Sequence, residues 1–102
     1  MGRIAYVNGR FLPHADATVH IEDRGYQLAD AVYEGWALFD GKLADPEGHF
    51  ARLERSLSEL RIPMPMSRAA LTVVLREAVR RNRVQEGLVY LQVSRGVAPR
   101  DH

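Results

Sequence analysis

The sequence predicts one α+β domain in which two helices pack on an antiparallel or mixed sheet. Three observations support this fold class: dipeptides that suit tight hairpin turns, two segments with the periodicity of amphipathic helices, and an alternating apolar segment that follows them. The chain has 102 residues, which is enough for one compact domain and too few for two. We therefore expect residues 1–102 to form a single domain with a modest hydrophobic core.

A hairpin is predicted at the start of the chain. Segments 4–7 and 10–12 flank the dipeptide Asn8-Gly9, which accepts the positive φ angles of a type I′ turn. The segment Val19–Ile21 is predicted as a further short strand.

A second hairpin is predicted from about Val32 to Leu43, with its turn at Asp40-Gly41. Successive residues of a strand point to opposite faces of the sheet. One face of the first strand therefore carries Tyr33, Gly35, Ala37 and Phe39, and the other carries Glu34, Trp36 and Leu38.

The first helix is predicted to begin at Asp45-Pro46, where an N-cap oxygen acceptor precedes a proline at the first helical position. It is predicted to end before Ile62-Pro63, because the residue before a proline avoids helical angles. Its apolar residues recur every three or four positions and predict one buried face, made of Phe50, Leu53, Leu57 and Leu60.

A second helix is predicted between the cap residue Ser67 and Asn82, and a strand is predicted from Leu88 to Ser94. Gly96 and Pro99 then interrupt the strand. The predicted inward-facing residues are Leu71, Val74, Leu75, Ala78 and Val79 of the helix, and Val89, Leu91 and Val93 of the strand.

The composition excludes several kinds of site. The chain has no cysteine, so disulfide frameworks and cysteine-based zinc sites are excluded. The net charge of +1 does not indicate nucleic acid as a partner, and no apolar run is long enough to span a membrane. The lack of a signal-peptide pattern and of cysteine fits a cytoplasmic protein. No metal site is predicted either, because no metal-ligand spacing is found among His14, His20 and His49.

Arg52 is the first candidate for anion binding. It lies on the predicted first helix beside the apolar face, and it has no acidic residue three or four positions away on that helix. Such an arginine is free to bind an anion elsewhere. The alternative is a solvated arginine whose aliphatic part packs on Leu53.

Arg100 and His102 form a second candidate site. If the chain is extended after Pro99, these residues point the same way and offer several donors to a carboxylate. The alternative is a loop that happens to hold two polar residues. Tyr33 could likewise donate its hydroxyl to a ligand, or it could be a partly buried core tyrosine with a solvated tip.

Three motifs, taken in order, resemble the class IV (fold-type IV) aminotransferases. Residues 22–34, EDRGYQLADAVYE, are similar to a family signature that reads DRGY, an aromatic residue, GD, and then a tyrosine and a glutamate. Residues 49–53, HFARL, resemble the family's helix motif, and residues 95–102, RGVAPRDH, resemble the D-amino-acid transaminase form of the next motif. Leu28 replaces the usual aromatic residue and Ala29 the usual glycine.

The resemblance implies that residues 1–102 are the N-terminal small domain of the D-amino-acid aminotransferase-like fold. It implies pyridoxal 5'-phosphate as the cofactor, with Arg52 binding its phosphate, and Tyr33, Arg100 and His102 holding the substrate α-carboxylate. The implied reaction converts D-alanine and 2-oxoglutarate to pyruvate and D-glutamate. The implied partners are a small amino acid, a 2-oxo acid and a second subunit in a homodimer.

The family's Schiff-base lysine is expected in a second domain that is absent from this chain. Lys42, the only lysine, follows Asp40-Gly41 in the predicted turn. No catalytic residue is therefore predicted here, and the chain alone is expected to be inactive. The alternatives are a branched-chain aminotransferase, an aminodeoxychorismate lyase, or a non-catalytic dimerisation module.

Overall fold

A computed structural model of the chain describes residues 2–98. It confirms the predicted α+β class, with two helices of 14 and 15 residues and two antiparallel sheets. The elements are β1 (Ile4–Val7), β2 (Arg10–Pro13), a 3-10 turn (His14–Asp16), α1 (Arg24–Leu28), β3 (Ala31–Phe39), β4 (Lys42–Leu43), α2 (Pro46–Glu59), α3 (Arg68–Asn82) and β5 (Gly87–Ser94). A two-stranded sheet pairs β1 with β2, and a three-stranded sheet has the order β4-β3-β5.

The N-terminal hairpin forms as predicted around Asn8-Gly9, whose φ angles are 49° and 90°. It is held to the rest of the domain by Asn82, the last residue of α3. The Asn82 side chain accepts a hydrogen bond from the amide of Ile4 at 2.8 Å and donates one to the Ile4 carbonyl at 2.9 Å. The hairpin is thereby joined to α3 through the backbone amide and carbonyl of Ile4.

Strand β3 runs through the centre of the larger sheet. It pairs with β5 along Ala31–Leu38 but with β4 only at Leu38 and Phe39. Within residues 2–98, the part of β3 before Ala37 therefore has no strand on its β4 side. The predicted alternation is confirmed: Glu34, Trp36 and Leu38 are buried, whereas Tyr33 and Phe39 are exposed.

Both long helices begin at their predicted caps. Asp45 accepts a hydrogen bond from the amide of Gly48, and Ser67 accepts one from the amide of Ala70. The prediction of Leu60 as a core residue is wrong, because α2 ends at Glu59 and Leu60 is 41% exposed. The core consists of Trp36, Phe50, Leu53, Leu57, Ile62, Leu71, Leu75 and Val93.

The region between the first hairpin and β3 differs from the prediction. The strand predicted at Val19–Ile21 is absent, because this segment pairs with no other strand and both of its β-branched side chains are exposed. The amide of Asp23 instead bonds the carbonyl of His20 in a turn. The Asp23 carboxylate then caps the short helix α1 by accepting from the amides of Gly25 and Tyr26.

In the part of the chain that the structure describes, no helix is long and apolar enough to cross a membrane. Over the same residues, no three His, Asp or Glu side chains come together as a metal site would require.

Candidate functional site

A buried carboxylate, that of Glu34, lies near the start of β3. Only 3% of its side chain is exposed. Its Oε2 accepts from Nε of Arg52 at 2.9 Å, and its Oε1 accepts from Nη2 of the same arginine at 2.5 Å. Oε1 also lies 2.9 Å from Nδ1 of His49 and 3.2 Å from the amide of Gly35. A buried carboxylate is thus fully supplied with donors.

Local sequence explains how these groups meet. His49 and Arg52 are three residues apart on α2, so their side chains lie on one side of the helix. Glu34 lies on the inward face of β3, where it points to α2. The His49 ring also packs on Trp36, with ring centroids 5.8 Å apart. Packing against the core therefore fixes the histidine that contacts Glu34.

Charge favours the ionised form of this carboxylate. The hydrogen bonds from Arg52 lower the pKa of Glu34 from 4.5 to about 2, although burial acts in the opposite direction. The hydrogen bond with His49 contributes in the same sense as Arg52. Glu34 is therefore an anion at neutral pH, and its hydrogen bonds raise the pKa of Arg52.

Arg52 remains accessible despite this ion pair, because 58% of its side chain is exposed. A guanidinium has five N–H donors. Glu34 uses the Nε donor and one Nη2 donor, and Nη2 also lies 3.5 Å from Nδ1 of His49. Within residues 2–98, Nη1 makes no hydrogen bond. The end of the guanidinium formed by Nη1 and Nη2 can therefore donate to a further anion.

Tyr33 lies on the outer face of the same strand and is not a core tyrosine. It is 71% exposed, and its ring stacks on that of Tyr90 at 5.9 Å with an angle of 19°. The Tyr90 hydroxyl in turn donates to Oε1 of Gln92 at 3.0 Å. Because Gln92 is the partner of Tyr33 across the strands, these polar groups share one exposed face.

Two of the predicted site residues, Tyr33 and Arg52, lie on opposite sides of β3. Tyr33 is on the outer face of β3, and Arg52 approaches the inner face through Glu34. Arg100 and His102 lie outside the described residues. Two shallow hollows, of about 270 and 320 Å³, are lined by other residues. Residues 2–98 therefore do not by themselves enclose Tyr33 and Arg52 in one of these hollows.

The first motif, residues 22–34, contacts the start of the last motif, at Arg95 and Gly96, and Asp30 makes part of this contact. Its carboxylate accepts from Nε of Arg24 at 3.0 Å and from Nε of Arg95 at 2.6 Å. The backbone repeats this link: the amide of Arg24 bonds the carbonyl of Gly96, and the amide of Arg95 bonds the carbonyl of Asp30. The hydrogen bonds from Arg95 and then Arg24 lower the pKa of Asp30. The chain that leads to Arg100 is thus tied to the end of α1.

Sequence reasoning did not single out Glu34, His49 or Asp30 as site residues. A signal for Glu34 was present, because it is a charged residue on the face of β3 that also carries Trp36 and Leu38. A carboxylate in such a position is rarely buried without a cationic partner. That partner is Arg52, which has no acidic residue three or four positions away on its own helix.

These features define an α+β domain in which an exposed arginine of α2, Arg52, is paired with a buried carboxylate of β3, Glu34. The chain belongs to the class IV aminotransferases, since the family profile described as "Amino-transferase class IV" matches residues 31–102. The D-alanine aminotransferase of Staphylococcus haemolyticus is 41% identical over 97 residues, which cover 95% of this chain and 34% of that protein. The chain thus spans about a third of the length of the curated relatives it matches.

Solved structures show the same fold. A branched-chain amino acid aminotransferase from T.th., solved with pyridoxamine 5'-phosphate, has a TM-score of 0.81 at 21% identity, over 90% of this chain and 32% of that one. The 4-amino-4-deoxychorismate lyase of Pseudomonas aeruginosa has a TM-score of 0.70 at 31% identity, over 84% of this chain and 30% of that one. The fold is therefore shared by class IV proteins whose named activities differ.

Proposed function

We propose that this chain is the N-terminal domain of a pyridoxal-phosphate-dependent D-amino-acid transaminase. The reaction would convert D-alanine and 2-oxoglutarate to pyruvate and D-glutamate. Family membership supports the aminotransferase class, and the relative at 41% identity is named for D-alanine. The observation that carries the proposal is the geometry of Arg52, which is held side-on by Glu34 with its other end exposed.

The donors of Arg52 fit the phosphate of the cofactor. The guanidinium is permanently charged, planar and able to donate two parallel hydrogen bonds, which suits a phosphate group. When bound, pyridoxal phosphate would supply an electron sink for the substrate carbon that reacts. Lys42 lies on β4 opposite Phe39, at the other end of β3 from Glu34. The lysine that holds the cofactor would therefore lie in a second domain beyond residues 1–102.

Tyr33, Arg100 and His102 would hold the α-carboxylate of the amino acid and of the 2-oxo acid. Tyr33 presents an exposed hydroxyl-bearing ring, and the contacts of Asp30 fix the chain as far as Gly96. A carboxylate fixed in this way would orient the bond that breaks relative to the cofactor ring. Enclosing these groups with Arg52 would require surfaces from the second domain or from a second subunit.

A homodimer in the cytoplasm is the expected working form. The outer face of the larger sheet carries large aromatic and aliphatic side chains that are exposed within residues 2–98, and this kind of surface marks an interaction site. Four large side chains on it are at least 60% exposed: Tyr33, Phe39, Leu88 and Tyr90. The same face would also suit a non-catalytic dimerisation module, which is the alternative from another class.

Two alternatives remain within the family. A branched-chain aminotransferase is supported by the likeness in fold, and an aminodeoxychorismate lyase is supported by 31% identity to a named lyase. Both would use Arg52 for the same phosphate. They would differ from the proposed enzyme in the groups that contact the substrate.

The decisive experiment is an assay of the complete protein that contains this chain, after loading with pyridoxal phosphate. We expect D-alanine and 2-oxoglutarate to yield pyruvate and D-glutamate. Activity confined to L-leucine or L-valine would indicate a branched-chain aminotransferase, and pyruvate release from aminodeoxychorismate would indicate the lyase. A stable dimer with none of these activities would support the dimerisation module.

A further inference from the structure

We propose that Glu34 is a positioning residue, which fixes the guanidinium of Arg52 so that its free end faces the phosphate of the cofactor. His49 would hold the carboxylate of Glu34 from its other side. The inference rests on the proposed function, because it takes Arg52 as the phosphate ligand. Glu34 itself would make no contact with the cofactor.

The first support for this role is that Glu34 is buried and held in the sheet, whereas Arg52 is exposed on a helix surface. Glu34 is 3% exposed, and its backbone pairs with Leu91 of β5. Arg52 is 58% exposed, on a helix surface where its long side chain could adopt many rotamers. The fixed carboxylate therefore selects one arrangement of the mobile guanidinium. Binding an anion then costs less side-chain entropy.

The second support for this role is that Glu34 binds only one edge of the Arg52 guanidinium. Nε and one Nη2 donor are bound side-on, which leaves the donors at the Nη1–Nη2 end pointing away from Glu34. That end is the second of the two edges with which a guanidinium can bind two oxygens in parallel. Occupation of one edge thus directs an incoming phosphate to the other.

Charge alone predicts the opposite effect, and this makes the inference testable. The negative charge of Glu34 lies beside the proposed phosphate position and would repel a phosphate. If Glu34 acted only through its charge, removing that charge would tighten phosphate binding. If Glu34 positions Arg52, removing the carboxylate would weaken binding despite the loss of repulsion.

The test uses pyridoxamine 5'-phosphate, whose binding needs no Schiff base, and titration calorimetry on the complete protein. Pyridoxamine, which lacks the phosphate, is the control ligand. In Glu34→Gln the side-chain amide presents a donor where Arg52 or His49 also donates, so the side-on pair is lost. We expect pyridoxamine 5'-phosphate to bind about tenfold more weakly, the effect of one charge-assisted hydrogen bond. Binding of pyridoxamine should change by less than about twofold.

A double-mutant cycle tests whether Glu34 acts through Arg52. Lysine cannot make the side-on pair, so in an Arg52→Lys background Glu34→Gln should not weaken binding, because only the loss of charge repulsion remains. Glu77 provides a control, since its carboxylate also binds two side chains, those of Arg80 and Arg81, but on α3. Glu77→Gln should leave the binding of pyridoxamine 5'-phosphate unchanged.

A spectroscopic signature separates positioning from general support of the fold. The Nε–H proton of Arg52 should exchange slowly with solvent in the unaltered protein and rapidly in Glu34→Gln. The fluorescence of Trp36, which reports on the core, should be the same in the two proteins. If Glu34→Gln does not fold, Glu34→Asp decides, because it keeps the charge but withdraws the carboxylate by one methylene. In this variant we expect about threefold weaker binding of pyridoxamine 5'-phosphate and unchanged binding of pyridoxamine.

The outcomes distinguish this inference from the function on which it rests. Equal or tighter binding of pyridoxamine 5'-phosphate in a folded Glu34 variant overturns the positioning role and leaves the proposed function standing. The same loss in the Arg52→Lys background also overturns it. Failure of the unaltered protein to bind pyridoxamine 5'-phosphate overturns both.

Discussion

Glu34 on β3 and Arg52 on α2 are joined by two parallel hydrogen bonds, Nε to Oε2 at 2.9 Å and Nη2 to Oε1 at 2.5 Å. The pair connects the sheet to the helix that packs on it. Glu34 is buried and Arg52 is exposed. The contribution of the pair to stability can therefore be measured through Glu34, and its contribution to ligand binding through Arg52.

The stability of the protein should depend on pH through Glu34. The pKa of Glu34 is depressed from 4.5 to about 2, so its contribution is present above 4.5 and is lost as the pH falls toward 2. A depression of this size corresponds to at most about 3 kcal/mol, and screening at the exposed Arg52 reduces it to about 1–2 kcal/mol. Urea unfolding across this pH range measures the slope.

The Glu34→Gln variant isolates this contribution, because it cannot titrate at position 34. The difference in free energy of unfolding between the unaltered protein and Glu34→Gln should shrink as the pH falls from 4.5 to about 2. Glu77 also has a pKa of about 2, so Glu77→Gln must be measured over the same range. A difference for Glu34→Gln that stays constant with pH would contradict the assignment.

Arg52→Ala should weaken binding of pyridoxamine 5'-phosphate much more than a neighbouring arginine substitution. Arg55 lies on the same helix and is exposed, which makes Arg55→Ala the matched control. We expect a loss of at least about tenfold for Arg52→Ala and no change for Arg55→Ala, because only the first removes donors from the proposed phosphate site. Equal dissociation constants for the two variants would exclude Arg52 as the phosphate ligand.

Arg52→Ala should also destabilise the fold, since among residues 2–98 it leaves the buried carboxylate of Glu34 with His49 as its only side-chain partner. Thermal unfolding at neutral pH should show a lower Tm than for Arg55→Ala. The unfolding measurement identifies the temperature range in which binding of the two variants can be compared.

The position at which α2 ends can be tested in the core. Leu57 is 1% exposed, whereas Leu60, one turn further on, is 41% exposed. We expect Leu57→Ala to lower the free energy of unfolding by about 2–5 kcal/mol, through lost burial and an unfilled cavity. Leu60→Ala should cost less than about 1 kcal/mol. Similar losses in the two variants would mean that the helix continues with Leu60 in the core.

Asp30→Asn should loosen the segment that follows β5. The variant weakens the hydrogen bonds from Arg24 and Arg95 that link α1 to this segment. Hydrogen exchange at the amide of Arg95, which bonds the Asp30 carbonyl, should become faster, and the KM for D-alanine should rise. Asp40→Asn is the control, because Asp40 lies in a turn with φ 53°, where asparagine is equally suitable.

Much of the fold follows from local sequence. The caps Asp45 and Ser67 and the alternation along β3 depend on neighbours within a few residues, and the structure confirms all three. The strand predicted at Val19–Ile21 was wrong because a strand needs a partner, which local pattern does not supply. The helix α1 was missed since its cap, Asp23, is fixed partly by the distant Ser94 hydroxyl at 3.1 Å.

In the candidate site, too, features that depend on nearby residues could be predicted, and contacts between residues far apart in the sequence could not. A carboxylate partner for Arg52 outside α2 could be predicted, because no acidic residue lies three or four positions from it on that helix. The pairing of Arg52 with Glu34 could not, because the two residues are 18 positions apart and meet only when α2 packs on β3. The link from Asp30 to Arg95 spans 65 positions and is equally invisible to helical or strand periodicity.

Tyr33→Phe should separate substrate binding from the structure of the outer face. Phenylalanine keeps the ring that stacks on Tyr90 at 5.9 Å but removes the hydroxyl that would bind the substrate carboxylate. We expect the KM for D-alanine to rise about tenfold, the effect of one hydrogen bond to a charged group, with the Tm unchanged.

Tyr90→Phe is the matched control for this prediction, since it also removes one exposed hydroxyl and keeps the stack. The hydroxyl of Tyr90 donates to Gln92 at 3.0 Å and has no proposed contact with the substrate. We therefore expect its KM for D-alanine to stay within about twofold of the unaltered protein. If Tyr33→Phe has no larger effect than Tyr90→Phe, the carboxylate is held by other groups, and Tyr33 serves only to form the aromatic surface.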